Sequence, residues 1–131
     1  MRKSFVAFAT ATVLAGGAIA APAPPQFVTL QNSDMLSSNV VGLDVYHSAN
    51  NNVGTIKDIA FDGSKAVKGY ILSVGGVLGM GARYVAVDMS SVAIKYDPAD
   101  KKWHANMEAS QEQLKAAPEF RYEGEWNASK S

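Results

Sequence analysis

The chain contains no cysteine. That absence excludes disulfides, thiol nucleophiles, thiolate metal sites and a lipid-modified cysteine anchor together. It has no surplus of charge either, since twelve basic residues stand against twelve acidic ones. Binders of nucleic acid or of anionic membranes carry a basic footprint, so neither partner is expected. Histidine is scarce: His47 and His104 are the whole supply, and neither sits in a recognised metal or triad spacing. Proline is sparse outside one cluster, Pro22, Pro24 and Pro25. What is present is an ordinary globular balance over 131 residues, 47% hydrophobic and 18% charged, with room for one domain.

The first twenty residues read as a targeting segment. Met1-Arg2-Lys3 is a short positive start, Phe5 to Leu14 is apolar, and Ala18-Ile19-Ala20 offers an A-x-A cleavage site, so a cut is expected after Ala20. The uncharged run from Ser4 to Ala21 is long enough for a retained anchor to be weighed, but its Ala, Thr and Gly content favours cleavage. No stable membrane span is then expected in the mature chain. Cleavage removes Arg2 and Lys3 and no acid, which leaves ten basic residues against twelve acidic ones. Residues 21–37 read as a Pro-rich linker in which Phe27, Val28, Leu30, Met35 and Leu36 are apolar enough to cover an edge of the domain.

From Asn39 onward short strands alternate with turn chemistry. Val41, Leu43 and Val45 alternate with Gly42, Asp44 and Tyr46, the period of a half-buried strand. Val53 to Phe61 is a second strand whose Ile56 and Ile59 fall on opposite faces, a conflict that a β-bulge resolves. Asp62-Gly63 signals a hairpin into a third strand, Ala66 to Val74, which is apolar on both faces and is expected near the centre of the sheet. Gly75-Gly76-Val77-Leu78-Gly79-Met80-Gly81 then reads as a sharp backbone bend, with Gly75, Gly76, Gly79 and Gly81 as a structural barrel corner. Strands at Arg83 to Val87, Val92 to Tyr96 and Lys102 to Met107 follow, the last after an Asp97-Pro98-Ala99-Asp100 turn. Ser110 with Gln113 forms a capping box for one short helix, which carries Leu114 and ends before Pro118. The fold class expected is all-β: a small, mostly antiparallel barrel of about six strands with a short C-terminal helix.

Three segments in order, Asn39 to Tyr46, Val53 to Ile59, and Gly75 to Gly81 leading into Tyr84-Val85-Ala86-Val87, resemble the PRC-barrel domain family. The resemblance places that domain at residues 38–109, with the helix and an aromatic, charged tail at 110–131. The Leu114, Pro118 and Phe120 pattern is similar to small exported members. What the resemblance implies is a compact, mostly antiparallel β-barrel that binds and organises partners without covalent catalysis.

No constellation for chemistry emerges from the residues. The glycine stretch matches neither phosphate-binding fingerprint. Asp58 and Asp62, four apart on an extended strand, lie about 13 Å apart at ~3.3 Å per residue, too far to share a proton. An enzyme is therefore not expected, and no catalytic, cofactor-binding or metal residue is assigned. Two function classes remain. The first is an interaction module of the bacterial cell envelope, periplasmic or secreted, that binds a protein partner or itself, with Phe120, Tyr122 and Trp126 as candidate contacts. The second is a small-molecule or metal-binding protein that uses the barrel mouth near Gly75 to Gly81 with Tyr70, Tyr84 or His104, or that gathers the two histidines with Asp44, Asp58 or Asp62.

Overall fold

The structure, a computed structural model, describes residues 23–48, 50–75 and 81–127. The expected cleavage after Ala20, and Gly76 and Gly79, lie outside the described residues. Two units are separate in the chain, Met1–Gln31 and Asn32–Ser131. In the first, residues 23–31 carry no helix or strand. Among the described residues, no helix is long and apolar enough to cross a membrane.

The second unit is mostly β. A helical turn α1 (Ser37–Val40) precedes β1 (Asp44–Tyr46), β2 (Asn52–Phe61), β3 (Val67–Val74), β4 (Arg83–Asp88), β5 (Val92–Asp97) and β6 (Lys102–Met107), and α2 (Gln111–Ala116) follows. The six strands form one sheet in the order β4-β3-β2-β1-β6-β5. Pairing is antiparallel except between β1 and β6, which run parallel with Val45 opposite Ala105. The sheet is thus mixed and, among the described residues, is not closed into the expected barrel. At the β4 edge a backbone partner comes from the C-terminal segment instead: the Phe120 N–H donates to the Tyr84 carbonyl at 2.7 Å.

Local chemistry explains most of the elements. In β2 the register slips between Ile56 and Asp58, which makes Lys57 the extra residue of a bulge. Ile56 and Ile59 thereby reach the same core. The first strand is shorter than expected because the backbone turns at Gly42 (φ +100°), and pairing begins only at Asp44. The expected hairpin after β2 forms, with Phe61 and Val67 as the strand ends. Lys65 carries the left-handed backbone (φ +73°), and the Asp62 carboxylate accepts from the Ser64 N–H, the Ser64 hydroxyl and the Ala66 N–H. Those donors hold the Asp62 carboxyl below its ordinary range, the Ser64 hydroxyl foremost. The capping box closes α2, with the Gln113 N–H donating to Ser110 Oγ at 3.2 Å and the Ser110 N–H to Gln113 Oε1 at 2.9 Å.

One face of the sheet holds the core. Val45, Val53, Ile56, Leu72, Val74 and Val85 are fully buried there, and Leu114 of α2 covers them. As expected for a strand apolar on both sides, β3 also buries Ile71, which stands apart from that cluster. The alternation of a strand sends Ile71 to the opposite face from Tyr70 and Leu72. What covers it there is the chain's C-terminal segment.

Candidate functional site

The residues after α2 return across the second face of the sheet. Arg83, at the start of β4, fixes their starting point. Its Nη1 donates to the Lys115 carbonyl and its Nη2 to the Ala117 carbonyl, each at 2.7 Å, so one guanidinium fork satisfies two carbonyls at the helix C-terminus. Phe120 then pairs with Tyr84, and Tyr122 meets the Tyr84 ring edge to face at 5.5 Å between centroids. Phe120 packs edge to face on Tyr122 at 4.9 Å and tilted against Trp126 at 5.2 Å. The Tyr122 hydroxyl donates to Asp58 Oδ2 on β2 at 3.1 Å. Burial first, and the hydrogen bond to Asp58 second, push the Tyr122 phenol up to about 12. Asp58 also accepts from the Ile59 N–H at 2.9 Å, which fixes its carboxylate at the bulged part of β2.

These contacts bound a groove of about 730 Å³. Its apolar wall is Ile71, Ala86, Phe61 and the three rings Phe120, Tyr122 and Trp126; Asp58, Asp62 and Lys68 supply the charge. Of the three candidate contacts, Phe120 and Tyr122 are half-buried against the sheet, whereas Trp126 is 68% exposed. Phe61, which the sequence did not single out, is 58% exposed and also borders a smaller hollow with Met35 and Leu36. Its signal was present: a large ring just before an Asp-Gly turn, at the end of a strand, is poorly placed to reach the core.

The other candidates fall apart from this groove. Gly75 and Gly81 have left-handed backbone, φ +73° and +76°, at the two ends of the connection between β3 and β4. A hollow of about 590 Å³ lies beside Gly75, with Gly54, Thr55, Ser73 and Gln111 in its wall. Tyr70, Tyr84 and His104 do not line it. The two histidines are not brought together with Asp44, Asp58 or Asp62. His47 Nδ1 lies 3.4 Å from the Met107 carbonyl, and His104 Nε2 lies 2.7 Å from Asp100 Oδ2. His104, Asp100 and Asp97 bring one ligand atom each within 4.8 Å of one another at the β5–β6 turn, a grouping that spacing alone did not reveal.

Comparison with curated proteins brings no match to the chain. The sequence profile of the family described as the PRC-barrel domain matches residues 33–102.

Proposed function

This chain belongs to the PRC-barrel domain family, and from that premise we propose that it is a non-catalytic interaction module of the bacterial cell envelope. Its docking face is the groove between the C-terminal segment and the second face of β2 and β3, and its ligand is a protein. The observation that carries this reading is the pair of large rings at the groove mouth, Phe61 and Trp126, both more than half exposed beside an apolar wall already desolvated by Phe120 and Tyr122. Interfaces concentrate their binding energy in such aromatic anchors. The finer fold reading, a rolled PRC-type barrel, is supported by the curvature that the Lys57 bulge gives β2. Export with cleavage after Ala20 is supported by the N-terminal pattern, and mass spectrometry of the mature N-terminus tests it.

A photo-crosslinking residue at position 126, compared in cells with one at exposed Lys95 on β5, tests the docking face. We expect a crosslinked species specific to position 126, whose identified partner binds the purified protein and binds Trp126→Ala more weakly. Absence of any such species, together with a monomer at every concentration in sedimentation, would sink the proposal. If the crosslinked species is a second copy, the module self-associates.

A second reading, metal binding, is favoured by one observation, the approach of Asp97, Asp100 and His104 to within 4.8 Å. Zinc titration followed on the His104 ring by NMR decides it. Stoichiometric binding that disappears in His104→Ala supports it, and a ring that does not respond removes it.

A further inference from the structure

The charge around the groove is not balanced as the whole chain is. Five carboxylates, Asp58, Asp62, Glu119, Glu123 and Glu125, belong to its wall or to the segment that bounds it, against two cations, Lys68 and Arg121. One of the two cations is already committed: Arg121 pairs with Glu119 at 3.3 Å. Among the described residues, no ion pair engages Asp58, Glu123 or Glu125. All three are exposed. Trp126, next to Glu125 in the chain and itself part of the groove wall, has most of its surface in solvent, and an indole face attracts guanidinium and ammonium groups.

We infer that the groove receives a basic segment of the partner protein, one in which Lys or Arg residues flank apolar anchors. This rests on the docking face proposed above and specifies its partner. The apolar anchors fill the space over Ile71 and Ala86, between the Phe61 and Phe120 rings. The cations of the segment then face Asp58 on one side and Glu123 and Glu125 on the other. An acidic segment of equal apolar content is repelled by the same carboxylates, so the local charge selects between partners that the apolar wall alone would accept.

The test uses the purified protein and two synthetic peptides of about ten residues, one alternating Leu with Arg and one alternating Leu with Glu, with the Trp126 emission read in a Trp103→Phe background. We expect saturable binding of the Leu/Arg peptide that weakens about tenfold or more as sodium chloride rises from about 0.05 to about 0.5 M, because exposed charges are screened over a Debye length. Binding should fall severalfold in the Glu123→Gln, Glu125→Gln double variant and, read by calorimetry, in Trp126→Ala. Both variants should retain the parent melting curve. The Leu/Glu peptide should not bind. Equal binding of both peptides, no binding of the Leu/Arg peptide, or indifference to either variant overturns the inference. Should crosslinking from position 126 identify a partner whose contacting segment is acidic, this inference falls while the docking face stands. Absence of the crosslink, together with a monomer at every concentration in sedimentation, removes the docking face itself.

Discussion

The hydroxyl of Tyr122 donates to the carboxylate of Asp58 across 64 residues of sequence, at 3.1 Å. That bond ties the C-terminal segment to the strand that also carries the Lys57 bulge. It is the polar counterpart of the ring contacts made by Phe120.

The phenol of Tyr122 stands near 12 rather than at its ordinary 10, through burial and then through Asp58. A raised folded-state value favours folding fully below pH 10, and the contribution fades as pH climbs toward 12. Spectrophotometric titration should therefore show a late tyrosinate phase, with Tyr122→Phe removing most of it and flattening the loss of stability between pH 10 and 12. An identical late phase in the variant would assign it elsewhere, Tyr70 being next in line because burial also raises its phenol.

Phe120 and Trp126 are neighbours in the ring cluster, yet they should behave differently. Phe120 is half-buried and bridges to Tyr84, so Phe120→Ala should cost about 2 kcal/mol, below the range for fully buried rings. Trp126 is 68% exposed, and Trp126→Ala should stay within about 0.5 kcal/mol of the parent. Urea unfolding of both variants checks the contrast. Equal losses would mean that Trp126 is structural and not a docking ring.

A Cβ at Gly69 of β3 would collide with the Val87 carbonyl oxygen of β4, a backbone atom that cannot rotate away. Gly69→Ala should lower stability by about 1–3 kcal/mol, with the amide shifts of β4 moving most. A variant that melts with the parent would show that β4 yields freely.

Arg83 holds the end of α2 by two donors to carbonyls, and its Nε is buried without a partner among the described residues. Arg83→Met keeps the apolar stem and removes the fork. We expect a loss of about 1–3 kcal/mol and faster hydrogen exchange at the Phe120 amide, with Arg83→Lys recovering little because an ammonium cannot serve both carbonyls in one plane. Full recovery by Lys would argue for charge alone.

Much of the sheet was legible because its signals are local. The broken alternation of Ile56 and Ile59 announced the bulge, Ser110 and Gln113 announced the helix start, and the two apolar faces of the third strand announced an interior strand, although it lies second from the β4 edge and not at the centre of the sheet. The misses are non-local. Nothing near Val45 reports that its parallel partner is Ala105, because that pairing is set by packing across the whole core. For the groove under the C-terminal segment, the aromatic spacing of the tail was visible, while the contact of Tyr122 with Asp58 was not. Phe120 and Tyr122, two apart, share a face of an extended segment; Trp126 lies on the short 3-10 turn Gly124–Asn127 and escapes that face.

The three residues Asp44–Tyr46 are the only seam, among the described strands, between the sheet's two antiparallel halves, β2-β3-β4 on one side and β6-β5 on the other. A growing polypeptide can zip each half as soon as its hairpin is complete, but the join waits for the last strand to arrive. Stitching is thus the late event of assembly, and under mechanical load that short suture is where the protein should part first.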